Sequence, residues 1–328
     1  MNLIGIPNLD KSLEASLIAD MAKVESLLRS HIEGEYPLVI ETSRHLVEAG
    51  GKRLRPLLTL LAAQFGDPTN FDIIKAAVSC ELTHLATLYH DDVMDDALLR
   101  RGVTSANTKW GNTVAILTGD YLFSKVSDML ADIGPEAVKL QAKTFERLVI
   151  GQIKETQGAT EGLTPIEHYL KVVSDKTGSL IATSARFGAL LSGAKPEVVE
   201  ILTKFGEKIG IAFQIADDLL DITSDSTASG KTPGTDLKEG VPTLVTLYVI
   251  AANASEDKDL IAKLSKPIAE DELKDVIEKL RTHKALEQVR EYLSKIASEA
   301  NSLLEGLPNG AAKDALKNVA YVLVNRST

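Results

Sequence analysis

Two short acidic segments set the chemistry available to this sequence. "HDDVMD" at 90–95 and "ADDLLD" at 216–221 share the pattern Asp-Asp-x-x-Asp, stand 126 residues apart and each close an apolar run. On a helix, residues four apart share a face, so Asp91 aligns with Asp95 and Asp217 with Asp221. Carboxylates at that spacing repel each other, which calls for a cation between them. Few carboxylates around a hard ion leave positions for water and phosphate oxygens, the usual setting for Mg²⁺. The competing reading is a pair of solvated helix ends. Leu88 and Val93 around the first cluster, and Ile215, Leu219 and Leu220 around the second, place both at the mouth of a core instead. Zinc is disfavoured, because the 6 histidines are few and badly spaced.

The elements that must position these groups read as helices. Apolar residues recur three and four apart over 13–29, and the same period predicts helices over 37–49, 56–65, 71–95, 111–132, 135–158, 165–174, 177–193, 197–222, 241–253, 256–265, 270–298 and 311–325. "AGGKRLRP" breaks the pattern with Gly50 and Gly51, and Pro56 suits a first helical turn. Aromatics are only 5% and no strand series appears, so the fold class is all-α. No linker divides the helices, which predicts one domain over 1–328. The polar stretch from Thr223 to Gly240 predicts a mobile loop directly after the second acidic cluster.

A net charge of −10 argues against nucleic acid as a partner. The lone Cys80 excludes an internal disulfide framework, and a reducing cytoplasm is the simplest location. "MNLIGIPNLDKS" lacks the basic and apolar regions of a secretory signal. The longest apolar run, Leu244 to Ala252, is about half the ~20 residues needed to span a bilayer.

With these motifs in order, the chain resembles the trans-isoprenyl diphosphate synthases, or polyprenyl synthetases, from "GGKRLRP" through "DLKEGVPT". The resemblance implies an all-α bundle around a deep cavity, usually a homodimer, with the two acidic motifs facing each other. It implies three Mg²⁺ ions on the diphosphate of an allylic substrate. Asp91, Asp95 and Asp217 are then ligands, Asp92 and Asp221 supporting or water-bridged ones, and Arg100 a clamp on the same diphosphate. Isopentenyl diphosphate takes a metal-free site of Gly51, Lys52, Arg55, His84 and Arg101. There, two glycines allow close backbone approach while Lys and Arg supply point charge and a bidentate fork. His84, which alone reads as a core histidine, lies seven residues before Asp91, about two turns down the same face.

The resemblance also assigns "SDKTGSL" and "FQIADD". The first reads as a helix interrupted at Gly178, and with Lys176, Thr177 and Gln214 it would stabilise a carbocation and hold diphosphate. Gln152 and Glu155 would lie beneath the metals, and Lys231 would bind diphosphate from a closing loop. One departure stands out: many members carry Gly-Lys-x-Thr where this chain has Gly240-Val241-Pro242-Thr243, leaving Lys238 as the candidate for the second loop lysine.

The implied reaction ionises the allylic diphosphate, adds the cation to the double bond of isopentenyl diphosphate and loses a proton. Tunnel depth ends the cycle. The residues four and five before Asp91 are Thr87 and Ala86, both small, with small Thr83 a turn lower and Phe123 as a floor. This predicts a hexaprenyl to decaprenyl product of the kind used for quinone side chains, with peripheral membrane contact on release. The alternatives are a geranylgeranyl or farnesyl diphosphate synthase, a terpene cyclase, which would not need the "GGKRLRP" site, and a non-catalytic subunit of a heteromeric synthase, which generally lacks acidic ligands.

Overall fold

The computed structural model describes residues 6–34, 36–159, 162–224 and 233–325. The described fold is all-α apart from one two-stranded hairpin. Its helices are α1 (Lys11–His31), α2 (Pro37–Glu48), α3 (Leu54–Ala63), α4 (Asp72–Met94), α5 (Ala106–Trp110), α6 (Asn112–Ile133), α7 (Pro135–Gln157), α8 (Pro165–Val173), α9 (Ser179–Leu191), α10 (Pro196–Thr223), α11 (Thr235–Glu239), α12 (Leu244–Ala252), α13 (Lys258–Leu264), α14 (Glu270–Thr282), α15 (Lys284–Leu304) and α16 (Ala311–Asn325). Strands β1 (Leu99–Arg100) and β2 (Val103–Thr104) pair antiparallel between α4 and α5.

Local chemistry accounts for many of the boundaries. Asp10 caps α1 by accepting from the amides of Ser12 and Leu13 at 3.0 and 3.1 Å. Pro opens α2, α7, α8 and α10, where its missing N–H costs nothing. Thr164 and Glu167 form a reciprocal capping box at the start of α8.

The chain forms two compact units. The first comprises residues 1–145, 180–206 and 304–318. Its core holds Leu17 and Leu28 of α1, Leu58 and Leu61 of α3, Leu82 and Leu85 of α4, Leu122 of α6 and Phe187 of α9, all buried. Each such side chain withdrawn from water contributes about 1.5–3 kcal/mol, enough to fix α4 along its length. Two glycines bring helices together: a Cβ on Gly119 of α6 would stand 2.4 Å from the His90 ring on α4, and one on Gly188 of α9 would stand 2.0 Å from the Thr59 carbonyl on α3. The second unit comprises 146–179, 207–303 and 319–328. Its core packs Tyr169 of α8, Ile215 and Leu219 of α10, Leu247 of α12, Val276 and Leu280 of α14 and Leu293 of α15.

The structure departs from the sequence reading in four places. The helix predicted over 270–298 is two helices. His283 between them is extended (φ −79°, ψ 141°), and its ring Nδ1 accepts from the Ala285 amide at 3.0 Å, capping α15. Apolar periodicity runs through this break, so pattern alone does not mark it. The hairpin and the short α5 escape the sequence reading, because two-residue strands carry no period. Within the polar stretch 223–240, Thr235–Glu239 is helical rather than loop, and 225–232 lies outside the described residues. The predicted interruption at Gly178 is instead a π-helical turn, Ser174–Gly178, joining α8 to α9 without a gap.

Candidate active site

The first acidic motif occupies the last turn of α4. Asp95 ends the helix, donating its amide to the Asp91 carbonyl at 2.9 Å. Asp92 turns inward and is 0% exposed. Arg100 Nε donates to its Oδ1 at 2.5 Å, while Oδ2 has no hydrogen-bond partner. Burial pushes the Asp92 carboxyl above the usual range, and Arg100 opposes that push. The motif therefore divides: Asp91 is half-buried and Asp95 exposed, while Asp92 is buried and holds an arginine.

That arginine is delivered by the hairpin. Arg101 and Gly102 both take positive φ, 53° and 78°, as a tight two-residue hairpin turn requires. Holding an arginine in the left-handed region costs roughly 1–2 kcal/mol, and strain of this kind clusters at functional sites. The turn swings the Arg101 guanidinium onto the end of α2, where it donates to the carbonyls of Leu46, at 2.9 Å, and Gly50. Gly51 sits there with φ 147°, a conformation that favours glycine, and a Cβ at that position would lie 2.9 Å from Arg101 Cζ and make the guanidinium shift.

Within "GGKRLRP" the two arginines have separate tasks. Arg53, itself at φ 51°, is buried and donates to Glu25 at 2.6 Å, Glu81 at 2.9 Å and the Val47 carbonyl at 3.2 Å. It is a structural brace. Arg55 keeps its buried Nε without a hydrogen-bond partner. Burial lowers its pKa, with Glu81 opposing. His84 is held well below the ordinary histidine value by burial and then by Arg55, Arg101, Arg100 and Arg53. It is neutral near pH 7, a hydrogen-bonding group inside a basic cluster. Arginines outnumber the acids facing them, so the arrangement suits an incoming anion.

In the second unit, the π turn presents Lys176 and Thr177. A π turn adds a residue to the helical repeat and is frequent at functional sites. Lys176 Nζ donates to Glu155 Oε2 at 2.5 Å, and Thr177 Oγ1 to Gln214 Oε1 at 3.0 Å. Gln214 Nε2 in turn donates to Asp218 Oδ1 at 2.9 Å, and the Tyr169 hydroxyl to Asp218 Oδ2 at 2.5 Å. Burial pushes the Asp218 carboxyl up to about 6, with the Tyr169 and Gln214 hydrogen bonds acting the other way. Ion pairs brace the turn: Arg147 donates to Asp175 at 2.7 Å and to Glu207, and Lys154 to Asp175 at 2.8 Å. Gly151 lets α7 approach, since a Cβ there would stand 2.6 Å from the Lys176 amide nitrogen. Gln152 has a buried carbonyl oxygen without a partner.

The second acidic motif lies on the last turns of α10. Asp217 and Asp221 are half-buried. The Asp221 carboxylate accepts from the amides of Thr235 at 3.2 Å and Asp236 at 3.1 Å, so it also caps α11. Arg281 closes the end of α10 by donating to the carbonyls of Ile222 and Ser224 at 2.9 and 2.7 Å. Lys238 pairs with Glu270. Lys231 lies outside the described residues.

Among the described residues no three His, Cys, Asp or Glu side chains are grouped so that they alone could hold a metal ion. Each motif keeps two carboxylates out of the core, Asp91 with Asp95 and Asp217 with Asp221, and such a pair would suit an ion that keeps water and takes phosphate oxygens as its other ligands. On α4, Ala86 and Thr83 are buried; Thr83 Oγ1 donates to the Ser79 carbonyl and accepts from Gln141 Nε2 at 2.7 Å. Thr87 bonds its own helix at the His84 carbonyl, 2.8 Å away. Phe123 packs on Phe145 with ring centroids 4.4 Å apart. Sequence reading misses Asp218 and Tyr169. The four-residue step from Gln214 to Asp218 is a legible signal for the first, and nothing in "HYL" marks the second.

Residues 36–280 match the sequence model of the family described as polyprenyl synthetase. The chain belongs to that family. Polyprenyl synthetases are trans-prenyltransferases, and this chain is an enzyme of that kind. It is 44% identical over 324 residues to the nonaprenyl diphosphate synthase of Mycobacterium tuberculosis, covering 98% of this chain and 97% of that one. It is 37% identical over 317 residues to heptaprenyl diphosphate synthase component 2 of Geobacillus stearothermophilus, covering 96% and 98%. Among solved structures it is similar to the geranylgeranyl pyrophosphate synthase of Corynebacterium glutamicum complexed with calcium and isoprenyl diphosphate, with a TM-score of 0.86, 41% identity, and 97% and 98% coverage. No helix among the described residues of this polyprenyl synthetase is long and apolar enough to cross a membrane.

Proposed function

We propose that the chain is one catalytic domain that condenses isopentenyl diphosphate repeatedly with an allylic diphosphate, making an all-trans product in the hexaprenyl to decaprenyl range. The observation that carries this reading is the basic cluster of Arg55, His84 and Arg101 set in the same unit as the acidic motif of Asp91 and Asp95. A cation site for one diphosphate and a metal-free site for another are what a condensation of two diphosphates needs.

Asp91 with Asp95, and Asp217 with Asp221, would hold Mg²⁺, and that ion would supply positive charge to a departing diphosphate. Arg100, seated by Asp92, clamps the same diphosphate. Lys52, Arg55, His84 and Arg101 bind isopentenyl diphosphate, with Gly51 letting the backbone approach. Thr177 Oγ1 and Gln214 Oε1, hydrogen-bonded to each other, would offer their oxygens to the allylic cation, and Lys176, paired here with Glu155, would take up diphosphate. The small side chains at Ala86, Thr87 and Thr83 would give the growing tail room; Thr87 is half-buried, and the other two are fully buried and packed in this structure. The similarity to a nonaprenyl diphosphate synthase supports a long product. A homodimer in the cytoplasm, supplying quinone side chains, completes the reading.

A second reading has a specific observation behind it: the likeness to a component of a heptaprenyl diphosphate synthase favours a subunit that needs a partner. One incubation separates the two. Purified protein alone, with Mg²⁺, isopentenyl diphosphate and farnesyl diphosphate, is expected to give a product of six or more isoprene units on reverse-phase chromatography. A product that stops at four units overturns the long-chain assignment, and no product at all favours the partnered subunit.

A further inference from the structure

Gln214 carries an amide whose two ends are almost the same size, so the pocket's shape alone does not choose which end faces Thr177. The choice is made by what lies on its other side. Asp218, one turn along α10, is only 7% exposed and offers Oδ1 to Gln214 Nε2 at 2.9 Å. Its other oxygen is held by the Tyr169 hydroxyl at 2.5 Å. Both oxygens are thus occupied by donors, and the carboxylate cannot turn away. Reversing the amide would set Oε1 against a carboxylate oxygen, acceptor against acceptor. A buried charge is costly to keep, and an apolar side chain of similar size would satisfy packing at lower cost. The placement of this one points to an orienting task.

We propose that Asp218, anchored by Tyr169, is a positioning residue that locks the Gln214 amide with its carbonyl oxygen toward Thr177, the orientation in which both oxygens serve an allylic cation. This rests on the reading of the site as a prenyl transfer site. Asp218 touches no substrate; it acts through Gln214.

The test is a polarity swap. Asp218→Asn keeps the shape but gives Gln214 and Tyr169 one acceptor oxygen to share, with an NH₂ facing the other donor. Turnover of farnesyl and isopentenyl diphosphates should fall about 10- to 100-fold in kcat, the size of a lost charge-assisted hydrogen bond, with KM for isopentenyl diphosphate unchanged. Gln214→Glu alone sets two carboxylates together and should also lose turnover. The double variant Q214E/D218N restores every pairing with the polarity exchanged. Its introduced amide donates to the introduced carboxylate and accepts from Tyr169, and a carboxylate oxygen again faces Thr177. The kcat of this double variant should exceed that of Asp218→Asn at least tenfold, and its melting temperature should recover toward wild type. A double variant no better than Asp218→Asn in kcat overturns the positioning role even if its melting temperature recovers; failure of the melting temperature to recover overturns the amide orientation itself. Should Asp218→Asn not fold, Tyr169→Phe takes its place: a lower kcat at unchanged KM for isopentenyl diphosphate supports the anchor, and wild-type kcat overturns it. A wild-type chain inert toward both diphosphates sinks the proposed function, whereas an active wild type with an unaffected Asp218→Asn variant sinks this inference alone.

Discussion

Arg100 and Asp92 form a pair in which the carboxylate is fully buried and the guanidinium, 2.5 Å away, is 30% exposed. The middle aspartate of the first acidic motif holds an arginine and is not offered to solvent. Removing the acceptor should therefore resemble removing the clamp. Asp92→Ala is expected to lower kcat about 10- to 100-fold, the scale of one charged hydrogen bond, and Asp92→Asn, which can still accept from Arg100, should lose less. Steady-state kinetics on both variants and on Arg100→Met check this; equal losses for Ala and Asn count against it.

Gly51 lies under the Arg101 guanidinium with φ 147°. Gly51→Ala forces that group off the carbonyls it caps. KM for isopentenyl diphosphate should rise roughly tenfold or more, while KM for the allylic substrate changes little. Initial-rate measurements with each substrate varied in turn decide the matter.

Buried Glu81 is paired with Arg53 at 2.9 Å, while Arg101 stands farther off at 3.9 Å. Arg53→Met leaves that carboxylate buried without its close pair, a change that typically costs about 3–5 kcal/mol. Urea unfolding should show a loss of that size, and a loss below about 1 kcal/mol would mean that Arg101 moves in to replace it.

The π turn should be acid-sensitive. Burial raises the Asp175 and Glu207 carboxyls, but hydrogen bonds from Lys154 and Arg147 to Asp175, and from Arg147 and Ser174 to Glu207, outweigh it and leave both below their ordinary values of 3.8 and 4.5. A carboxyl whose folded pKa is depressed adds stability that is present above its unfolded pKa and lost as pH falls through the folded one. Melting temperature should thus fall below about pH 4.5, the upper ordinary value. The fall should be flatter in Arg147→Met, and parallel curves would rule out this source.

Ala86 is buried on the face of α4 that meets α6, where a Gly119 Cβ would stand 3.0 Å from the Ala86 carbonyl. Ala86→Phe should shorten the product and destabilise the fold by about 1–3 kcal/mol through overpacking. Chromatography of the extracted diphosphates reads the first effect and thermal melting the second. An unchanged product length would move the tunnel wall elsewhere.

The sequence by itself determined the helical class, most helix positions and the two acidic motifs, because a 3.6-residue apolar period and a four-residue carboxylate spacing are local properties that survive in a linear string. It also marked "GGKRLRP" as basic and glycine-rich, yet not that Arg53 would brace Glu25 and Glu81 while Arg55 kept a bare nitrogen, since both are arginines in the same heptapeptide. Only the tertiary structure decided such divisions of labour. Asp92 faces inward because a two-residue turn at Arg101 and Gly102 brings Arg100 back to it. Asp221 caps α11, fourteen residues on, and Asp218 meets a tyrosine from another helix. The reason is physical: what a side chain does is set by who desolvates it and who donates to it, and those neighbours come from distant stretches of chain.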